Sequence, residues 1–426
     1  MKRALLVSPY FAPSNLAGAL RTRLMASHLP EFSWKPVVVT VDPSCYEEAN
    51  DLASLPLIPD WLRVERVRAW PSQICRPLGF GDMSLRAQWQ LRRRIAHLLQ
   101  REKADLIFAT VLPGYTSLIA AWAKRKFGLP FVLDYQDPWV SDWNREQSYL
   151  SKQGLAHWLA SRLEPGAVAA ADAVTTVSDE TLQTLRGRKL LRDGLPVETI
   201  PIGGDENDHA VASKIGHSMI SKTAGDFALA YLGTITERML PTVRTLFRAV
   251  RLAVDANPPG RLALHFIGTS AQANGRDMHS LLSLARSCGM EHQFHLEPRR
   301  IGYLDALRSM QEADTLLLIG STDSHYTASK IFPCWLSGKP IIALFHARST
   351  VNNIAQELGG VRIITYEDPD GLEAQTNEVA TALREVSEQR SAAVPPRHES
   401  AFAPYSAKAV AGRYAALFDR LLAAKN

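Results

Sequence analysis

Two kinds of pattern in this 426-residue chain could do chemistry: a small-residue loop that opens a helix, and single charged residues just past apolar strands. The loop is Pro9-Tyr10-Phe11-Ala12-Pro13-Ser14-Asn15-Leu16-Ala17-Gly18, and the helix after it carries Arg21. Free N–H groups and the helix dipole at such a junction favour an anion, above all a phosphate. Gly18 reads equally as a residue kept small so that the helix can pack closely. Asp137 lies in Asp134-Tyr135-Gln136-Asp137-Pro138-Trp139, just past a buried strand, where open α/β sheets concentrate function. An Asx turn opened before Pro138 is the structural alternative for it.

Several chemistries are excluded. There is no G-x-G-x-x-G after the first strand, no G-x-S-x-G elbow and no H-E-x-x-H helix. Gly338-Lys339 is followed by Pro340, which rules out a P-loop. The four cysteines, Cys45, Cys75, Cys288 and Cys334, sit far apart without metal-ligand spacing and read as reduced thiols of a cytoplasmic protein. The run Asp205-Glu206-Asn207-Asp208-His209 could take a cation, but a solvated linker is the reading adopted. A net charge of +5 permits anionic partners without naming one.

The elements that must position these residues alternate along the chain. Apolar runs at 4–8, 37–42, 105–110, 130–134, 173–177 and 197–202 are separated by helix-period segments at 19–29, 85–100, 115–127 and 151–169. That alternation predicts a doubly wound parallel sheet covered on both faces. It pauses over 203–226 and restarts with runs at 227–233, 262–268, 293–296, 315–320, 340–344 and 361–366. The expected division is therefore a first domain over 1–204, a linker over 205–226, a second domain over 227–404 and a closing helix within 405–426. Ligands of such sheets bind at the strands' carboxyl ends, so the expectation is a cleft faced by both domains.

An ordered series of motifs carries a resemblance over nearly the full length. After the loop ending at Gly18 and the Asp134–Trp139 segment come Ala171-Asp172-Ala173-Val174-Thr175-Thr176-Val177-Ser178, Ile200-Pro201-Ile202-Gly203-Gly204 and Tyr231-Leu232-Gly233-Thr234-Ile235. Phe266-Ile267-Gly268, Ala313-Asp314, Ser329-Lys330-Ile331-Phe332 and Ser337-Gly338-Lys339-Pro340 complete it. The series resembles glycosyltransferase family 4, nucleotide-sugar enzymes with the GT-B architecture of two doubly wound, Rossmann-like α/β domains. The subgroup it is most similar to acts in bacterial polysaccharide and glycoconjugate assembly.

The resemblance implies roles. Arg238 and Lys330 match the basic residues that meet the donor diphosphate, whose growing charge in the transition state fixed cations stabilise. Gly233 and Thr234 form the turn that lets backbone approach phosphate, and Gly268, Ser329 and Ile331 belong to the same donor motifs. Arg299 lines the base pocket that Tyr303 closes, and Gly18 and Arg21 add to the phosphate site. Asp137 matches an acidic or histidine position near the reacting sugar, there to orient or deprotonate the acceptor hydroxyl; Asp134 is the second choice. The chain departs from the family at a spaced pair of glutamates, which are His325 and Pro333 here. Pro333 cannot accept ribose hydrogen bonds, so the pocket is either rebuilt, with Asp323 or Ser329, or degraded.

The expected function is transfer of a sugar, of hexosyltransferase type, from a nucleoside-diphosphate sugar to a glycan, lipid-linked or small-molecule acceptor, with retention implied by the resemblance. No cofactor, no metal and no nucleic-acid partner are expected. A GT-B nucleotide-sugar epimerase and a non-catalytic sugar-nucleotide or glycan binder are the alternatives. A stripe of Arg86, Gln90, Arg93, Arg94, His97 and Arg101 beside Leu91, Ile95 and Leu98 suggests contact with an anionic membrane surface, against a plain solvated face.

Overall fold

A computed structural model of the chain describes residues 1–140, 151–256, 261–270, 278–322, 329–388 and 393–424. It divides into two compact units, Met1–Ile202 with Ala407–Asn426, and Gly203–Ser406.

The first unit is built on β1 (Lys2–Val7), β2 (Trp34–Val41), β3 (Arg63–Val67), β4 (Leu106–Thr110), β5 (Phe131–Tyr135), β6 (Ala173–Thr176) and β7 (Val197–Thr199). All pair in parallel in the order β3-β2-β1-β4-β5-β6-β7, so the winding reverses between β1 and β4. Every residue of β4 and β5 is buried, as expected of strands covered on both faces. Sequence periodicity did not indicate β3: Arg-Val-Glu-Arg-Val buries only Glu65 fully, because it is an edge strand.

The closing helix, Ala407–Ala423, belongs to this first unit and not to the chain segment before it. Phe418 packs edge-on against Trp34 at 5.3 Å, and Tyr414 does the same against Phe108 at 5.3 Å. Trp34 Nε1 donates to Asp419 Oδ1 at 2.9 Å. Removing this helix would expose the aromatic face of the first sheet.

The second unit holds β8 (Asp226–Leu232), β9 (Arg261–Ile267), β10 (Phe294–Glu297), β11 (Thr315–Ile319), β12 (Ile341–His346) and β13 (Val361–Tyr366). Again all strands are parallel, in the order β10-β9-β8-β11-β12-β13, with the reversal between β8 and β11. The stretch expected as a linker is not one. Residues Glu206–Ile215 form a helix, capped by Asp205 accepting from the Asn207 amide. Its Asp208 and His209 are buried in the second unit. The acidic run is therefore a helix start, where carboxylates favour the dipole.

The helix expected over 85–101 is two helices, Met83–Arg86 and Gln88–Arg101. Leu91, Ile95 and Leu98 are buried as the periodicity requires. The basic stripe is only partly exposed. Arg86 is buried and donates to Glu47 Oε1 at 2.8 Å, and Arg94 is paired with Glu65. No described helix is long and apolar enough to cross a membrane.

Candidate functional site

In the first unit, the loop after β1 leads into the helix Ala17–His28, whose N-cap Leu16 makes no side-chain capping bond and whose first turn carries no acid. A Cβ on Gly18 would lie 3.2 Å from Leu112 O and 3.4 Å from Gln136 Oε1, so the glycine permits close packing against the loops after β4 and β5. Among the described residues the buried Gln136 Oε1 has no hydrogen-bond partner.

Arg21 corrects the expectation of a phosphate ligand. Its side chain is fully buried, with Nη1 donating to Pro201 O at 2.6 Å and Nη2 to Ile200 O at 2.5 Å. Its Nε stands 3.3 Å from Asp134 Oδ2. Asp134 is equally buried and accepts from Thr175 Oγ1 and Tyr414 Oη, each at 2.7 Å. The guanidinium is thus used by two carbonyls and a carboxylate of the core, and Asp134 has no route to a substrate. Together they tie β5, β6, β7 and the closing helix to one buried ion pair.

Asp137 is different. It follows β5 with its side chain exposed, and none of the described residues donates a hydrogen bond to its carboxylate, so no Asx turn holds it. Surrounding protein nevertheless desolvates the group and holds its pKa above the usual Asp value. Close by in sequence, Trp139 packs on Gly114, where a Cβ would fall 2.1 Å from the indole. Tyr115 meets the same indole edge-on at 4.9 Å. These two aromatics drew no role from the sequence, because only the β4 loop brings Tyr115 and Gly114 to Trp139.

In the second unit, Gly233 ends β8 at φ +136°, a conformation open to glycine. The Lys330 ammonium occupies the space a side chain would need: a Cβ on Gly233 would be 1.9 Å from Nζ. Nζ donates to Tyr231 Oη at 3.2 Å and lies 4.9 Å from the centre of that ring. Tyr231 Oη in turn donates to Thr234 O at 3.0 Å, and burial holds the phenol protonated by raising its pKa. Gly233, Thr234 and Lys330 are thus brought together, with Tyr231 as the platform that alternation in a strand presents only as a core residue. Arg238 is exposed on the 3-10 turn Glu237–Met239, and its carbonyl accepts from the Thr322 amide at 3.0 Å. Ser329 is exposed beside Lys330.

The other donor candidates are distributed differently. Gly268, at φ +68°, ends β9, and its amide donates to Glu297 O at 2.8 Å. Arg299 is exposed and folds back on Glu297, Nε to Oε1 at 3.1 Å, which holds the glutamate's pKa down. Tyr303 donates to Asp208 Oδ2 at 2.9 Å, so its hydroxyl fastens the helix Glu206–Ile215 to the helix Tyr303–Glu312. Ile331 is buried, which leaves only its backbone to a ligand. Pro333 is partly buried in the helix Ile331–Leu336, and His325 and Asp323 lie outside the described residues. Among the described residues no group of three or more His, Cys, Asp or Glu gathers as a metal site.

Residues 18–203 match the family described as "Glycosyl transferase 4-like domain". Comparison with curated proteins finds no match. Among solved structures, HepE from Anabaena in complex with UDP and glucose is 15% identical, covers 99% of this chain and 100% of its own, and superposes with a TM-score of 0.64. Sucrose-phosphate synthase from Thermosynechococcus elongatus is 15% identical over 100% of both chains, with a TM-score of 0.63. A protein provisionally named UDP-N-acetylglucosamine 2-epimerase, from Listeria monocytogenes, is 12% identical over 98% of this chain and 96% of its own, at 0.54. At these identities the likeness is one of fold.

Proposed function

We propose, from the match of residues 18–203 to a glycosyl transferase 4-like domain and the GT-B fold of the chain, that the protein transfers a sugar from a nucleoside-diphosphate sugar to an acceptor hydroxyl. The observation that carries this reading is the Lys330 ammonium held over Tyr231 in the space above Gly233. An ammonium anchored at a strand's carboxyl end, beside a glycine turn, suits a diphosphate leaving group. Arg238 is the second cation assigned to it, so charge neutralisation is given to side chains rather than to a metal ion.

The donor is assigned to the second unit and the acceptor to the first. HepE was solved with UDP and with UDP-glucose, which makes a uridine diphosphate sugar the first donor to test. In the first unit Asp137 orients or deprotonates the acceptor hydroxyl, since its raised pKa makes it a stronger base than an ordinary aspartate. The acceptor belongs to the glycan, lipid-linked or small-molecule class. Retention of configuration is part of the proposal through the family likeness.

Thermal unfolding against UDP, GDP, TDP, ADP and CMP, with and without their sugars, tests the reading. A ligand at about 100 times its Kd stabilises by about 2.7 kcal/mol. One nucleoside diphosphate should raise the midpoint in the wild type and much less in Lys330→Met. Pro333, standing where the family carries a glutamate, favours one rival, a binder that no longer turns over. Nucleotide stabilisation without sugar release, unaffected by Asp137→Asn, would establish that rival. Epimerised sugar nucleotide appearing without acceptor would establish an epimerase.

A further inference from the structure

The first unit carries an exposed apolar segment that its own fold leaves uncovered. Trp70, Ile74, Leu78, Phe80 and Trp89 are each more than half exposed, Leu78 at 68%. The segment is ordered by ordinary bonds. Trp70 N donates to Arg86 O at 3.1 Å, Arg86 Nε returns to Trp70 O at 2.8 Å, and Phe80 N donates to Cys75 O at 3.0 Å. Trp70 is thereby held beside the start of the helix Gln88–Arg101, which bears Trp89. Large apolar side chains grouped in this way on a surface mark an interaction site.

Charge identifies the occupant. Arg93 lies over the Trp89 ring at 5.2 Å, and Arg92 and Lys126 lie over Trp122 at 5.5 Å each. Arg125 is exposed next to them. Arg76, Arg86 and Arg94 have their charge met by Glu47 and Glu65, whereas among the described residues no carboxylate pairs with Arg92, Arg93, Arg125 or Lys126. Arg92 is half-buried, with Nη2 donating to Leu118 O at 3.4 Å, so the surface combines apolar tips and exposed indoles with the exposed cations Arg93, Arg125 and Lys126. Indoles settle at the headgroup level of a bilayer, and long basic side chains reach anionic headgroups while their stems stay in apolar surroundings. A two-fold dimer through the same face would set these cations against their own copies.

We propose that this surface, Trp70 to Trp89 with Arg93, Arg125 and Lys126, seats the protein on an anionic lipid bilayer. The anchor differs from the basic helical stripe expected from the sequence, since Arg86 and Arg94 are engaged internally and the apolar residues precede the helix. Arg86, between Phe80 and Trp89, donates from Nη2 to Cys45 O at 3.2 Å, and the hydroxyl of the adjacent Tyr46 accepts from the Phe11 amide at 3.1 Å. Phe11 follows β1, so the bilayer surface borders the carboxyl end of the first sheet, where Asp137 emerges. A lipid-borne acceptor would arrive at that end; this last clause rests on the glycosyltransferase reading, and the docking does not.

Flotation of the full chain with phosphatidylcholine vesicles, with and without phosphatidylglycerol, tests the proposal without nucleotide present. The wild type should float with the phosphatidylglycerol vesicles and be released by high salt. Ile74→Ser with Leu78→Ser should abolish flotation. Arg93→Gln with Arg125→Gln should lower it roughly thirtyfold, from the attraction of two surface cations to anionic lipid at about 1 kcal/mol each. Both variants should keep the wild-type unfolding midpoint and nucleotide response, so failure of docking is separate from failure of the donor site. No flotation with anionic vesicles, or equal flotation of wild type and both variants, overturns the proposal. So does a dimer in solution that the Ile74→Ser, Leu78→Ser variant dissolves, which would assign the face to a second copy.

Discussion

The Lys330 ammonium lies where the side chain of residue 233 would be: a Cβ on Gly233 would stand 1.9 Å from Nζ. A glycine and a lysine almost a hundred positions apart therefore specify each other. The glycine leaves the space, and the Tyr231 ring and hydroxyl hold the cation in it.

Gly233→Ala should fold and lose nucleotide affinity. The new methyl meets the far end of a flexible side chain, which can move, but φ +136° strains any residue with a Cβ by about 1–3 kcal/mol. The unfolding midpoint should fall modestly, and the stabilisation by UDP should shrink as Lys330 is displaced. An unchanged UDP response would show that the cation does not act from this position.

Lys330→Met separates charge from packing. The methionine keeps much of the stem over Tyr231 and drops the ammonium, at a cost to folding of about 1 kcal/mol or less. Nucleoside-diphosphate binding should weaken by at least about tenfold, equivalent to about 1.4 kcal/mol, read by calorimetry. The corresponding nucleoside, lacking phosphates, should bind both proteins alike.

Arg21→Met should behave as a core lesion. It strands the Asp134 carboxylate among Thr175 and Tyr414 with no cation, and breaking one side of a buried pair costs about 3–5 kcal/mol. Urea unfolding should show that loss. Arg21→Met with Asp134→Leu should recover part of it. A variant stable as wild type but unable to bind nucleotide would return Arg21 to the phosphate site.

Asp137 makes two pH predictions of opposite direction. As a base it must be ionised, so kcat/KM should fall as pH drops through a value above the ordinary aspartate range, and Asp137→Asn should remove that limb along with most turnover. For folding, a carboxyl whose pKa is raised in the native state favours the protonated form. Its stabilising contribution is present below the unfolded value and is lost as pH rises through the raised one. Asp137→Asn should therefore be no less stable than wild type at neutral pH, by thermal unfolding.

His265 sets an acid limit on the second unit. The ring is buried on β9 and stacked on His295 at 4.7 Å, and burial, then the neighbouring imidazole, push its pKa down to about 4. Below the unfolded value of 6.5 the unfolded chain takes up the proton first, so stability should decline as pH falls from there towards about 4. His265→Gln should flatten that decline in unfolding midpoints followed across the interval, although its neutral-pH stability can differ.

Much of the architecture was legible in the sequence because the strands are buried on both faces. Leu106–Thr110 and Phe131–Tyr135 read as unbroken apolar runs, as does Thr315–Ile319 in the second unit, whereas the partly exposed edge strands Phe294–Glu297 and Val361–Tyr366 were located by the alternation of strands with helices. The edge strand Arg63–Val67 was not, since its half-buried polar side chains carry no such run. The helix Glu206–Ile215 was taken for a linker because its acids and histidine read as solvated, when Asp208 and His209 are in fact buried, Asp208 by its bond to Tyr303.

For the candidate site the division is sharper. Composition, strand order and turn residues determined by themselves that there are two parallel sheets, and which loops leave their carboxyl ends. Asp137 could be picked out on that basis, at the end of a buried strand, whereas Gly233 and Lys330 were singled out through the family resemblance. Only the tertiary structure decided what each charge faces. Arg21 and Asp134 read as ligands and close on each other in the core; Arg299 folds onto Glu297; Lys330 finds Tyr231 and the gap at Gly233; and Trp70 to Trp89 stay uncovered. A charged side chain's role depends on whether its partner arrives from a distant part of the chain, and local spacing carries no record of that contact.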